Sequence, residues 1–408
     1  MWSLPRLLLF RFFFAFCVVL LVPVISGILW GQLIEWTGPF FFGKEVTYHP
    51  SGSGDTLNDY AELLLKFLFS LIAVIIWSVL DRRRGSYNKL LYWQEVYIRY
   101  YLAFFMIVYG FMKVIKLQFS APGLSSLLLP LGTKSPMGLA WTFMGLSDTY
   151  TIFSGFCEVL AASFLLYRKT RTLGALIAFG VMLNVFLMNM SYDIPVKIFS
   201  FRLVVLAGFL VALDYKRLLN LFILNRATLP QSSLPHFPMR WANTTTTIVK
   251  LVAIVGGVGF MIFNNIQDKA MYGDTAPKPA MYGIYEIDTF IRNNDTIPAI
   301  LNDTIRWRYL VIERESVNIF HMKTSQYDDL DYFEVKTDSI KKEMVFSNYD
   351  DSTKVGSLRY SKMGKNKYTF KGVLKNDSIE LHTIRTDEKD YMLTNRGFRW
   401  VSEYPYNW

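Results

Sequence analysis

The chain has 408 residues, 52% hydrophobic and 16% aromatic, with a formal net charge of +10. Apolar residues at that density, gathered into long runs, exclude an ordinary soluble domain and predict membrane-spanning helices. Nucleic acid is excluded as a partner by where the charge lies. Residues 1–268 carry 22 Lys and Arg against 12 Asp and Glu, whereas residues 269–408 carry 21 of each.

Seven runs of roughly 17–25 residues are long enough to cross about 30 Å of hydrocarbon. They fall at about 11–30, 60–80, 97–115, 150–167, 173–190, 198–213 and 247–264. The first has Arg6 and Arg11 in front but runs on into bulky residues, so it reads as a retained helix and not as a cleaved signal peptide. Between the first two runs lies a predicted outside loop. Its Gly- and Ser-rich "SGSGDT" lacks the flanking strand and Gly-Lys-Ser/Thr of a phosphate loop, so the expectation is a turn with Asp55 or Thr56 capping the next helix. Glu62 and Lys66 follow at i and i+4, a spacing that lets them pair.

The loop 117–149 is too apolar for water and is expected to lie on the membrane as short interfacial pieces, with Trp141 at headgroup depth. After the sixth run, "YKRLLNLFILNR" (215–226) predicts an amphipathic helix in the inner interface. Basic residues cluster in alternate loops: at Arg82, Arg83, Arg84 and Lys89, at Arg168, Lys169 and Arg171, and at Lys216, Arg217, Arg226 and Arg240. By the positive-inside rule the N-terminus is cytoplasmic and, after seven crossings, the C-terminal segment lies outside.

From about residue 281 the pattern becomes short alternating runs separated by turn residues: "YGIYEIDTFI", "WRYLVIE", "SVNIFHM", "YFEVKT", "EMVFS", "GSLRYS", "KYTFKGVL" and "SIELHTIR". Period-two patterning predicts an antiparallel meander, and eight strands suit a small closed barrel. "SKMGKNKYTF" and "LKNDSIEL" are the clearest hairpins; the aromatic tail "RGFRWVSEYPYNW" is expected to cover a barrel mouth.

One carboxylate, Glu158, is predicted near the middle of the fourth apolar run, where a bare charge costs several kcal/mol. Arg202 is the nearest candidate partner in depth, with Lys113 and Arg99 expected at opposite ends of the third run. Asn184 and Asn189 in the fifth run, and Tyr192, Asp193 and Lys197 just after it, share the outer half of the bundle. The functional expectation is a polar cavity for a small polar or redox-active ligand; the structural alternative is hydrogen bonding between helices. Cys17 and Cys157 have neither disulfide nor thiol-relay spacing. His49, His236, His321 and His382 are scattered, and no metal site is expected.

Residues 95–215 resemble the DoxX family of four-span bacterial membrane proteins. The likeness rests on "YIRYYLAFFMIVYGFMKVIKLQF", with Arg99, Tyr109, Gly110 and Lys113, on "FSGFCEVLAASFLLYRKTRTLGAL" around Glu158, and on "NVFLMNMSYDIPVKIFS". The whole arrangement is similar to longer DoxX-like proteins of Bacteroidetes, with two spans added in front, one behind, and an outside β-domain. The resemblance implies a membrane component of an oxidoreductase or quinone-associated system, with a quinone or another membrane redox protein as partner. No catalytic residue is transferred by it; Glu158 and Arg202 are the catalytic candidates by depth and charge alone. The expected architecture is therefore an α-helical bundle of about seven spans followed by a lipocalin-like all-β domain. Its segments are a two-helix extension (1–94), a DoxX-like four-helix core (95–215), an interfacial helix with the last span (216–268) and a periplasmic barrel (269–408), all in a bacterial inner membrane. The rival expectations are a non-enzymatic lipid or small-solute carrier, in which the barrel receives the ligand, and a structural partner of a membrane complex.

Overall fold

The computed structural model describes residues 2–21, 28–45, 47, 54–228, 240–301, 303–314, 316–322, 324 and 329–405. His49, His236 and half of "SGSGDT" lie outside those residues. The helices are α1 (Leu4–Leu21), α2 (Ile28–Phe42), α3 (Leu57–Leu80), α4 (Asn88–Val114), α5 (Leu124–Leu128), α6 (Pro136–Leu146), α7 (Asp148–Leu166), α8 (Arg171–Ser191), α9 (Lys197–Leu213), α10 (Tyr215–Phe222), α11 (Arg240–Met271) and α12 (Met392–Asn395). The chain divides into two units, Met1–Val114 with Phe153–Phe263, and Ile115–Ile152 with Asn264–Trp408.

The helical unit is built on apolar stripes. Ile98, Leu102 and Met106 of α4 are fully buried one turn apart and pack with Ala161 and Leu165 of α7, Ala175 and Ala178 of α8, and Leu203 and Ala207 of α9. The alanines matter because small side chains let helix backbones approach closely. α1 is tied to the end of α3 by Arg11, which donates to Ser78 Oγ (3.0 Å), to Tyr87 Oη (3.1 Å) and to the Asp81 carbonyl (2.9 Å). Thr56 caps α3 in a reciprocal box with Asp59, as the sequence predicts for that position.

Among the described residues, five helices are long and apolar enough to cross a membrane, or six if α9 and α10, bent by 72°, form one span. The sequence predicts seven. The first predicted run, 11–30, lies partly outside the described residues, which take α1 only as far as Leu21. A second helix, α2, occupies part of the predicted outside loop. α4 starts at Asn88, not near residue 97, so Arg99 lies three turns inside it instead of at its end.

The second unit is an antiparallel barrel. Its strands are β1 (Gly283–Arg292), β2 (Asp295–Thr296), β3 (Trp307–Ile312), β4 (Ser316–His321), β5 (Asp331–Asp338), β6 (Glu343–Asn348), β7 (Lys354–Lys362), β8 (Lys367–Leu374) and β9 (Asp377–Thr386). Eight long strands follow one another around the sheet, the two-residue β2 hangs from β1, and pairing of β1 with β9 closes the ring. Every one of the eight predicted strands is present. The β8–β9 hairpin turns through Lys375 and Asn376 at φ 49° and 71°, the doubly positive geometry whose twist matches the flanking strands.

Tyr285, Phe290, Leu310, Ile319, Phe346 and Phe370 point inward and fill the barrel with side chains. A cavity of about 160 Å³ remains at one end, lined by Phe290, Trp307, Phe333 and Ile379 with His321 and Asp331. On the opposite face Ile284, Val311 and Phe320 are also buried, because Leu124 of α5 packs on them. Asn318 Nδ2 donates to Ser125 Oγ (2.8 Å), and the Ser125 amide donates to Glu313 Oε1 (3.0 Å). The sequence predicts the loop 117–149 on the membrane and within the stretch assigned to the four-helix core. Residues 115–152 group with the barrel, whose strands β3 and β4 are apolar on both faces and need a cover. Among the described residues of the tail, Phe398, Trp400 and Tyr404 are more than three-quarters exposed, so these aromatics do not form the expected cover over a mouth.

Candidate functional site

The burial of Glu158 is resolved by a crossing of two helices. α4 and α7 touch where each has a glycine. A methyl group on Gly155 would lie 2.5 Å from the Gly110 carbonyl oxygen and 2.7 Å from Lys113 Cβ; one on Gly110 would lie 3.0 Å from the Gly155 carbonyl oxygen. Three residues beyond each glycine, on the same helix face, stands a charge. "GFMK" carries Lys113 and "GFCE" carries Glu158, and their Nζ and Oε1 atoms meet at 2.6 Å with both side chains buried. The other carboxylate oxygen has no hydrogen-bond partner among the described residues. Of the two cations expected to balance it, Lys113 pairs with Glu158 and Arg202 does not.

Arg202 does something else. It stands on a stripe of α9 (Lys197, Ile198, Phe201, Arg202, Val205 and Leu206) that lines a cavity of about 590 Å³. α1 contributes Phe13, Phe16, Cys17 and Leu20, and α3 contributes Tyr60, Leu63, Leu64 and Phe67. Both sets follow i, i+3, i+4, i+7, the spacing of one helix face. The walls are almost wholly apolar. A second cavity of about 340 Å³ shares Leu20, Leu63, Ile198 and Arg202 with the first and adds Asp59, Glu62, Lys66 and Tyr109.

Glu62 pairs with Lys66 at 2.6 Å, as their spacing predicts, and Asp59 is held by the Thr56 cap. Among the described residues Arg202 joins no ion pair; its guanidinium lies over the Phe199 ring at 5.8 Å, and its buried Nε has no partner. An apolar chamber, a polar chamber and one uncommitted cation between them suit a ligand with a long apolar part and an acceptor-rich head. Glu158 lines neither chamber.

The remaining predicted residues divide. Tyr109 lines the polar cavity and Lys197 the apolar one. Lys197 also pairs with Asp193 at 2.8 Å, while Asp55 receives the Lys197 and Ile198 amides at 2.7 and 2.9 Å. The cap expected of Asp55 thus serves α9, whose N-terminal amides favour an anion. Asn189 is buried and donates to Ser200 Oγ at 3.0 Å, a link between α8 and α9. Asn184 is exposed on α8, Tyr192 is partly exposed beyond its end, and Arg99 is buried with its guanidinium 5.3 Å from the Tyr100 ring centroid; none of the three lines either cavity.

Two ion clusters escape sequence reasoning. Arg171 bridges Glu95 of α4 and Asp214 at the end of α9, and Thr172 Oγ1 donates to Asp214 at 2.5 Å. In the second unit, buried Lys116 pairs with Asp148, donates to the Gly145 carbonyl at 3.0 Å and lies 3.5 Å from Asp274. The partners in both sets lie about thirty or more residues apart in sequence, beyond any spacing rule. The run "MKVIK" is the only signal, in that Lys116 follows Lys113 at the very end of a span. Among the described residues no group of three or more His, Cys, Asp or Glu side chains is placed to hold a metal.

Fold and site together define a protein of long apolar helices, with an apolar cavity adjoining a polar one, joined to an eight-strand antiparallel barrel. No family model and no solved structure matches the chain. It is similar to the uncharacterized protein YwoB of Bacillus subtilis (strain 168), at 36% identity over 124 residues, which are 30% of this chain and 79% of that protein. The chain belongs to the YwoB family.

Proposed function

We propose that this is an integral protein of a bacterial inner membrane, DoxX-like in its four-helix stretch, that holds a long-chain amphiphile between α1, α3 and α9. A lipid-soluble quinone is the redox-active member of that ligand class, and it would make the protein a component of a membrane redox system. Embedding is supported by the surface of the helical unit. Ile72, Ile75, Ile76 and Val79 of α3, with Val249, Val252, Val255 and Phe260 of α11, are all more than half exposed. Apolar surface costs roughly 25 cal/mol per Å² in water and nothing against lipid tails. Among the described residues five or six helices have the length to cross, and the clustering of basic residues in alternate loops supports a periplasmic barrel.

The ligand reading is carried by one observation: Arg202 lies where a 590 Å³ apolar cavity meets a 340 Å³ polar one, with no counter-ion among the described residues. The guanidinium would donate to a quinone carbonyl or another oxygen acceptor, with Tyr109 on the same wall. Glu158 and Lys113 in this reading lock α4 against α7.

The test is to purify the full chain from membranes in mild detergent, extract it, and identify the bound small molecules by mass spectrometry. A quinone or similar amphiphile is expected, reduced about tenfold or more by Arg202→Gln, since a hydrogen bond to a charged group contributes about 1.5–3 kcal/mol. Exposed Arg84 serves as control. An empty protein, or retention unchanged by Arg202→Gln, would overturn the proposal.

A further inference from the structure

A third cavity lies at the other end of the helical unit. We infer that it binds one anionic phospholipid of the membrane leaflet on the basic-loop side. It measures about 710 Å³, and α1, α4, α9 and α10 line it. Its deep wall is apolar, with Leu9, Phe10 and Phe209 among its residues, and its rim carries Arg6, Lys216 and Arg217.

Three features make this a headgroup site and not merely a greasy cleft. First, the cations are uncommitted. Among the described residues none of the three joins an ion pair; Arg6 stacks on the Trp2 ring at 4.5 Å, and Lys216 lies 5.9 Å from the Tyr215 ring. The one carboxylate in the lining, Asp214, is already held by Arg171 at 3.4 Å and Thr172 at 2.5 Å, so the rim keeps its positive charge.

Second, the rim is held in place from both sides. The Trp2 amide donates to the Gly85 carbonyl at 2.8 Å and its indole to Asn88 Oδ1 at 3.1 Å, which fixes the segment carrying Arg6. The 72° bend between α9 and α10 turns Lys216 and Arg217 across the end of the bundle. Third, α10 is amphipathic, with Leu219, Leu221 and Phe222 exposed beside those cations. That composition belongs in the interface, where acyl chain and phosphate meet.

An anionic phospholipid matches both halves: chains against the Phe10 and Phe209 wall, phosphate at the three cations. A basic pocket between helices on the cytoplasmic side is the physical form of such recognition. The inference rests on the membrane embedding proposed above and is independent of the Arg202 ligand.

The experiment uses the full chain in mild detergent. Retained lipids are classed by native mass spectrometry, and thermal stability is followed on adding phosphatidylglycerol, phosphatidylcholine or inorganic phosphate. Phosphatidylglycerol alone is expected to be retained and to raise Tm. The triple variant Arg6→Gln, Lys216→Gln, Arg217→Gln is expected to lower the retained phosphatidylglycerol-to-phosphatidylcholine ratio on the order of a hundredfold, at about fivefold per basic residue near an anionic surface. Lys341→Gln, on the exposed surface of the barrel, should leave that ratio unchanged. Equal stabilisation by phosphatidylcholine, an equal shift with inorganic phosphate, or unchanged retention in the triple variant would each overturn the site. Absence of the protein from the membrane fraction would instead remove the embedding on which it rests.

Discussion

Lys113 Nζ and Glu158 Oε1 meet at 2.6 Å, each three residues past a glycine at which its helix touches the other. The close approach brings the charges together, and the charges in turn hold the approach. Glu158→Gln or Lys113→Met alone leaves a buried ion unmatched, which costs about 3–5 kcal/mol. The double variant should recover most of that loss. A double-mutant cycle on thermal unfolding in detergent measures it, and additive losses would refute the coupling.

The crossing itself predicts a contrast among glycines. Gly155→Ala would place a methyl 2.5 Å from a carbonyl oxygen of α4, whereas Gly180→Ala on α8 meets nothing within 4 Å. The first should destabilise by about 1–3 kcal/mol through overpacking. The second should be neutral or stabilise by several tenths, since alanine is the better helix former. Equal effects on unfolding midpoints would show that the helices are not in contact there.

The cover on the barrel predicts a similar pair. Leu124 is 1% exposed against Ile284, Val311 and Phe320, while Leu131, seven residues on, is 70% exposed. Leu124→Ala should cost the barrel unit about 2–3 kcal/mol and speed proteolysis between residues 115 and 152. Leu131→Ala should do neither. A Leu124→Ala protein digested at the normal rate would detach α5 from the barrel.

Acid should loosen one end of the barrel. Asp331 accepts a hydrogen bond from His321 Nε2 at 3.2 Å and lies 3.8 Å from Lys375, and these hold its carboxyl below the ordinary Asp range. A carboxyl with a depressed folded pKa contributes stability above its unfolded value, about 3.9, and loses it as pH falls through the folded value. Protection of β4 and β5 amides, corrected for intrinsic exchange, should therefore fall below about pH 4. Asp331→Asn should flatten that fall, and a wild-type profile in the variant would assign the acid sensitivity elsewhere.

Much of this fold is written in local pattern. The eight strands follow from period-two alternation between "YGIYEIDTFI" and "SIELHTIR", and the β8–β9 turn from "LKND". α3, α7, α8 and α9 begin and end within about three residues of the predicted runs, because a long apolar stretch has few alternatives. Arg202 and Tyr109 are legible as polar groups in apolar helices, and Glu62 with Lys66 as a pair by spacing.

What the sequence could not assign was partnership. One-dimensional pattern states which face of an element is apolar but not which surface covers it. "GLSSLLLP" is equally apolar against lipid or against Ile284, Val311 and Phe320, and only the folded chain puts it on the barrel. Depth alone favours Arg202 for Glu158; backbone contact at Gly110 and Gly155, between residues 45 positions apart, gives it Lys113. That choice leaves Arg202 facing two cavities with no counter-ion among the described residues. Composition thus determined the helices, the strands and the presence of buried charge. Tertiary packing decided which charges cancel and which face a cavity, because pairing depends on distances that chain order does not contain.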